Sequence, residues 1–466
     1  MLFNSLEFVL FAIVFFGMWP LARRRNTSRY LYICFFSFFF YGWWNWHFLI
    51  LLAVTGLVDY LAGLAIESWP LQRKAILAVS IASNLLTLGF FKYGNFFAAN
   101  LNHALLRMGQ DWKIPMLALT LPVGISFYTF QSMSYTIDIY RGELRPTRNV
   151  LHFFAALSLF PHLVAGPIMR AAYLLPQLQS DRHPDEKQVW RGLQLIAQGY
   201  VKKMVIADHL APAVNSAFAG PVAAHTCLEW WIIITMFAFQ IYCDFSGYTD
   251  IARGLAKWMG YEFPLNFNHP YVSGSMREFW SRWHISLSTW FRDYLYVPLG
   301  GSHKGAARSH LNMWITMLLS GLWHGANWTY LVWGSLHAAY LSAERITRWP
   351  DRLRRIPLGK AAACALVVVQ AWFGWVFFRA TSIQQGWSVI KAMLSFDSAY
   401  VGLSRTAILF LCLAVIGEIY AGLHLDWRAL LRPRLTAYLE PVKIAACVVA
   451  AVYLRGPGNA FIYFQF

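Results

Sequence analysis

The chain has 466 residues, enough for about three soluble domains by the usual length prior, but its composition excludes that organisation. Hydrophobic residues make up 58% and charged residues 13%, the latter well below what a globular chain carries. The net charge of +17 does not point to nucleic acid, because the basic residues lie in short loops between apolar runs rather than on one soluble face; positive-inside topology accounts for them.

The expected fold class is therefore an all-α polytopic membrane protein, one membrane domain over residues 1–466. Apolar runs long enough to cross or enter a bilayer occur near 5–22, 30–46, 47–66, 74–92, 115–140 and 150–170, then near 190–214, 228–250, 311–322, 328–344, 359–378, 405–425 and 440–454. That predicts about eleven transmembrane helices, with re-entrant or interfacial helices among them. The opening MLFNSLEFVLFAIVFFGMWPLARRRNTSR has no basic n-region and no small-residue cleavage site, so it is expected to stay as a helix rather than act as a signal peptide. Arg23–Arg25 follow the first run, which predicts a cytoplasmic loop there and an N-terminus outside. LPVGISFYTF, FPHLVAGPIM and SGLWHGANW are interrupted by Gly and Pro. Broken backbone at membrane depth survives only where protein or a cavity satisfies it, so these three are expected to line a central cavity.

His183–Arg191 is the most polar cluster and reads as a loop entering a helix, with Asp185 as a cap. Towards the C-terminus, the basic loops Glu344–Lys360 and Arg428–Lys443 predict cytoplasmic turns, with the loop near Thr381–Ser404 and the C-terminus outside. Six cysteines without a CxxC give no metal or disulfide framework. HExxH, GxSxG and GxxxxGK[ST] are absent as well, and no histidine is followed at the fifth position by Asp.

Chemistry concentrates in Arg277–Tyr330. His324 ends the uncharged run Met313–Leu322 and stands between Trp323 and Gly325, with Asn327 able to orient an imidazole or bind a carbonyl. A histidine satisfied by a backbone carbonyl between packed helices fits the same pattern, although intramembrane ionisable groups lean functional. His284 lies among Trp280, Trp283, Leu287, Trp290 and Phe291 at helical spacing, with Arg282 and Arg292 on the polar face and Asp293 beside them. That pattern equally describes an interfacial anchor helix. YCDFSGYTD supplies Asp244 and Asp250, which could orient a histidine, bind a hydroxyl or cap a helix. Asp59, Lys203 and Glu418 are isolated intramembrane charges, expected to form structural pairs.

The ordered blocks LPVGISFYTFQSMSYTIDIYRG, FPHLVAGPIMR, QGYVKKMVIAD, YCDFSGYTDIARG, EFWSRWHISLSTWFRDYLY and GLWHGANWTY resemble the membrane-bound O-acyltransferase family, in its branch of bacterial polysaccharide O-acetyltransferases of the alginate type. The resemblance covers a core of about residues 30–380, and the ending FIYFQF is similar too; helices over about 359–454 complete the domain. It implies helices around a tunnel with funnels from both faces. It also implies that His324 is the catalytic base or acyl relay and His284 the second catalytic histidine. Trp323, Gly325, Asn327, Arg282, Arg292, Asp293 and Asp244 would then surround donor or substrate. No tightly bound cofactor is implied, and the donor would be acetyl-CoA or another acyl thioester on the cytoplasmic side. The implied partners are the lipid bilayer of a bacterial inner membrane, a periplasmic SGNH-type acetyltransferase and an alginate- or cellulose-like polysaccharide, with no nucleic acid. D-alanyl transfer to an envelope polymer, a proton-relaying transporter and a structural subunit of an export complex are the alternatives.

A histidine suits the reaction the family performs. A sugar hydroxyl has a pKa far above neutrality, so its attack on a thioester needs a general base, and an imidazole titrates near the working pH.

Overall fold

The computed structural model describes residues 1–395, 402–423, 433–459 and 461–462, with backbone only over 433–438. Among them there is no β-strand, and helices carry the chain throughout. Two compact units emerge, Met1–Gly192 with Leu255–Phe263, and Leu193–Gly254 with Pro264–Phe466.

The first unit contains α1 (Leu6–Ala22), α2 (Asn26–Gly42), α3 (His47–Ser68), α4 (Arg73–Leu88), α5 (Gly94–Arg107), α6 (Ile125–Arg141), α7 (Val150–Ser158), α8 (Phe160–Leu163) and α9 (Ala171–Gln179). The π-helical turn Gly89–Tyr93 joins α4 to α5, so the apolar run expected to end near 92 continues to Arg107. Both interrupted stretches of this unit break as expected. An irregular segment precedes α6, and α7 gives way after Ser158 to the single turn of α8. Phe160, opening α8, is the hub of an aromatic core formed with Phe8, Phe11, Phe15 and Phe40 at centroid distances of 5.0–6.4 Å.

Asp59 on α3 corrects a sequence expectation. Its carboxylate has no cationic partner among the described residues. It accepts instead from Ser80 Oγ at 2.6 Å and Asn84 Nδ2 at 2.7 Å on α4, and from Ser132 Oγ on α6. Neutral donors from two neighbouring helices thus satisfy a fully buried carboxylate, as burial of such a group demands.

The boundary between units falls within α10 (Glu186–Tyr200) and α12 (Cys227–Trp258). The second unit continues with the π-helical turn Val201–Ala207 and α11 (Asp208–Ala219), then α13 (Met276–Arg282), α14 (Ile285–Phe291), α15 (Ala306–His324) and α16 (Trp328–Thr347). After these come α17 (Trp349–Leu353), α18 (Gly359–Arg379), α19 (Ile383–Met393), α20 (Arg405–Gly422) and α21 (Pro433–Tyr453). Helix starts follow local chemistry. Ser275 accepts from Glu278 N at 3.0 Å while Glu278 accepts from Gly274 N at 2.9 Å, a near-reciprocal cap for α13.

Lys203 does form the expected structural pairs, with Asp208 at 2.9 Å and Asp244 at 2.7 Å. Glu418 on α20 accepts from Tyr242 OH and lies 2.9 Å from His269 Nδ1, so its setting is a hydrogen-bonded one. Five helices among the described residues are long and apolar enough to cross a membrane: His47–Ser68, Arg73–Arg107, Cys227–Trp258, Gly359–Arg379 and Arg405–Gly422. The chain is an all-helical, multi-pass membrane protein; the number of crossings expected from the apolar runs is larger than these five.

Candidate active site

The second unit brings His284 and His324 together around one indole. His324 closes α15, where the helix stops because Gly325 turns extended, with φ −169°. A Cβ on Gly325 would come within 2.2 Å of the Tyr330 ring, and one on Gly321 within 2.3 Å of the Tyr330 carbonyl oxygen. Gly321 lets α15 and α16 pack backbone to backbone, and Gly325 lets the Tyr330 ring lie against the chain just beyond α15. His324 is 4% exposed and meets Trp323, Trp333 and Phe378 edge to face at 5.0, 5.1 and 5.1 Å.

His284 departs from the sequence expectation of one amphipathic helix over 280–291. The helix breaks there. α13 ends at Arg282, α14 begins at Ile285, and His284 sits between them in the left-handed region at φ 42°. Its Nδ1 accepts from Leu287 N at 3.2 Å, so the imidazole caps α14. It is 1% exposed, enclosed by Phe245 at 4.7 Å and Trp323 at 6.1 Å. Trp323 therefore touches both imidazoles, and an interfacial anchor is not what this residue is.

The remaining sequence candidates divide. Asn327 caps α16 through Oδ1, which accepts from Thr329 N at 3.1 Å, and donates from Nδ2 to Thr381 O at 3.2 Å. Asp244 pairs with Lys203 and accepts from Ile462 N at 2.6 Å, so it anchors the chain's last described residues rather than orienting an imidazole. Asp250 holds Lys202 at 2.6 Å. Arg282 is committed to Glu278 at 2.7 Å, whereas Arg292 bonds Asp293 at 2.6 and 3.2 Å and also lines a cavity.

That cavity measures about 1030 Å³ and is bounded by α13, α15, α16, α17 and the 292–302 stretch. Arg277, Arg292, Arg345, Arg348 and Arg354 line it, against the two carboxylates Glu344 and Asp351. Glu344 is itself occupied by the backbone N–H groups of Met276 and Arg277, at 2.6 and 3.3 Å. The surplus of guanidinium suits a phosphate-bearing ligand, because the planar fork bonds two oxygens at once. Trp280, Met313 and Leu341 supply its apolar wall. From there aromatic contact runs inward, Trp280 to Trp333 at 5.7 Å and Trp333 to His324 at 5.1 Å.

Sequence reasoning took the arginines of the 344–360 loop, Arg345, Arg348 and Arg354 among them, for topology alone, and it did not single out Trp333 or Phe378. Their period along α16, α17 and α18 carries no mark of a site; only the crossing of those helices with α13 and α15 assembles it.

The profile of the MBOAT, membrane-bound O-acyltransferase family matches residues 143–386, which include both histidines. The protein named probable alginate O-acetylase in Pseudomonas aeruginosa is 41% identical over 405 residues, covering 85% of this chain and 76% of that protein. The peptidoglycan O-acetyltransferase of Helicobacter pylori is 31% identical over 431 residues, covering 85% and 80%. The teichoic acid D-alanyltransferase of Bacillus subtilis is 27% identical over 267 residues, covering 54% and 66%.

Proposed function

This chain belongs to the membrane-bound O-acyltransferase family, and from that premise we propose that it carries acetyl from a cytoplasmic thioester, acetyl-CoA, towards an exported polysaccharide, with His324 as general base. It is a membrane-bound O-acyltransferase; the donor, the direction and the residue roles are the proposal. One observation carries it. A buried imidazole at a helix end is connected by two tryptophans to a cavity lined by five arginines, all within one unit. The arginines suit the donor's phosphates, and the aromatic interior suits an uncharged thioester.

The chemistry follows from the imidazole. His324 takes the proton of an acceptor hydroxyl as its oxygen bonds to the thioester carbon. The tetrahedral intermediate then collapses, the C–S bond breaks, and the imidazolium returns the proton to the departing thiolate. Packing against Trp323, Trp333 and Phe378 keeps water from competing with the hydroxyl. The names of relatives matched over 85% of this chain favour acetyl as the group and an alginate- or peptidoglycan-like polymer as its destination. Hand-over to a periplasmic SGNH-type transferase, from an enzyme seated in the bacterial inner membrane, completes the reading.

The test is polymer acetyl content in cells expressing variants at matched membrane levels. His324→Ala removes a base that contributes ~10² to 10⁴-fold, so acetylation should vanish while polymer synthesis continues. His324→Gln retains volume and hydrogen bonding but accepts no proton near neutrality, and should fail equally. Normal acetylation by either variant would remove His324 as base.

A further inference from the structure

The five arginines around the cavity are not equivalent. Arg292 is bonded to Asp293, and Arg354 stands 4.0 Å from Glu278, so a carboxylate already faces each of them. Arg277, Arg345 and Arg348 form no ion pair among the described residues. Of these three, Arg345 is the one whose guanidinium is held. Its Nη1 donates to Ser309 Oγ at 2.6 Å, and the same oxygen lies 3.0 Å from Tyr296 OH. Arg345, Ser309 and Tyr296 all line the cavity.

The three residues come from three elements. Tyr296 ends the π-helical turn Arg292–Tyr296, Ser309 lies in the first turn of α15, and Arg345 in the last turn of α16. Ser309 is 3% exposed, and Tyr296 packs against the cluster of Met313, Met317 and Ala338. The seat under Arg345 is therefore rigid, and it is neutral. A serine hydroxyl fixes the guanidinium without cancelling its charge, as Asp293 does for Arg292. It also takes one N–H of five, which leaves a free fork for two oxygens of an anion. An arginine side chain has much rotamer freedom, and one already held loses less of it when a ligand arrives. The cavity of about 1030 Å³ gives that ligand room.

We propose that Arg345 is the specificity-determining residue for a phosphate-bearing donor, and that Ser309 and Tyr296 are positioning residues that act through it. Arg345 bonds a donor phosphate in the cavity, and the hydroxyl pair holds its fork ready. The contact is made equally in the ground state and the transition state, so it governs donor binding rather than the chemical step. The proposal rests on the acyl-thioester reading above and deepens it.

The experiment uses inverted membrane vesicles bearing the full chain, with acetyl-CoA as donor and adenosine 3′,5′-bisphosphate, which has phosphates but no thioester arm, as competitor. Acetyl incorporation is measured for the wild type, Arg345→Gln, Ser309→Ala, Tyr296→Phe and the double variant of Arg345→Gln with Ser309→Ala. Loss of a charge-assisted hydrogen bond predicts an about 10- to 100-fold rise in the KM for acetyl-CoA in Arg345→Gln. Ser309→Ala should raise it about 3- to 10-fold, and Tyr296→Phe by less. In each, kcat should stay near the wild-type value and the inhibition constant of the bisphosphate should rise with KM. The double variant should match Arg345→Gln alone, because Ser309 has nothing left to act through. Should Arg345→Gln not accumulate, the matched rise of KM and inhibition constant in Ser309→Ala and Tyr296→Phe decides the matter. Effects that multiply in the double variant would overturn the positioning role, and a fall in kcat at unchanged KM would overturn the proposal as a whole. So would wild-type constants in Arg345→Gln, the result expected if a phospholipid headgroup fills the cavity; each of these leaves the donor reading standing. Wild-type vesicles that do not use acetyl-CoA would bring down the donor reading itself, and this proposal with it.

Discussion

His284 does two things at once, and its backbone separates them. A non-glycine residue at φ 42° pays for that conformation unless it is of the few kinds that tolerate it, among which Asn and His are prominent. Its Nδ1 also caps α14. His284→Ala would lose the cap, at about 1 kcal/mol, and place a less tolerant residue in the left-handed region, so a loss of activity there is ambiguous. His284→Asn keeps both the tolerance and a capping oxygen while removing the imidazole. It should accumulate in the membrane and unfold at a temperature close to that of the wild type, yet lose polymer acetylation. Retained acetylation would reduce His284 to a helix cap. The two catalytic candidates were legible in the sequence because each stands in a dense Trp-rich block. Trp333 was not, since a tryptophan inside an apolar run reads as ordinary core, and nothing local reveals that α13 brings Trp280 against it.

Element by element, breaks were easier to foresee than continuities. Gly and Pro announce the end of α15 and the short α8, because they remove side-chain bulk or an N–H where a helix must stop. The π-helical turn Gly89–Tyr93 carries a run past its expected end, and Val201–Ala207 falls inside the run expected over 190–214; each merely inserts a residue without any composition of its own. α15 and α16 show what a break can build. Gly321 faces the Tyr330 carbonyl, and a Cβ on Gly334 would come within 2.5 Å of the Met317 carbonyl oxygen. Two small residues therefore set how closely the hairpin closes, as at other membrane helix contacts. Gly321→Leu should force the helices apart, with an overpacking cost of about 1–3 kcal/mol. A lower midpoint in a detergent thermal-unfolding scan, together with reduced acetylation, is the expected result. An unchanged midpoint would show that the pair adjusts without resistance. Because His324 is the last residue of α15, the same variant should lower kcat more than it raises the KM for donor.

At the scale of the whole molecule, the basic loops give the chain its direction across the bilayer. Arg23–Arg29 and Glu344–Lys360 are expected in the cytoplasm; of the third loop, Arg428–Lys443, residues 428–432 lie outside the described residues, and α21 already runs from Pro433. The second loop is more ordered than its charge suggested, with α17 filling Trp349–Leu353 and left-handed residues Arg348 and Leu358 bounding the turns. Arg348, Asp351 and Arg354 of that loop line the arginine-rich cavity, so the loop's side of the membrane is also the side from which that cavity is entered. One labelling experiment therefore tests topology and donor side together. In a chain whose six free cysteines are replaced, single cysteines at Arg24 and Arg355 should resist a membrane-impermeant maleimide added to intact spheroplasts and react once the membrane is permeabilised. Acetyl-CoA added to inverted vesicles before the maleimide should slow the reaction at Arg355 and leave that at Arg24 unchanged. Modification of the Arg355 cysteine in intact spheroplasts would turn the cavity outward, and a cytoplasmic thioester could then no longer be what its arginines bind.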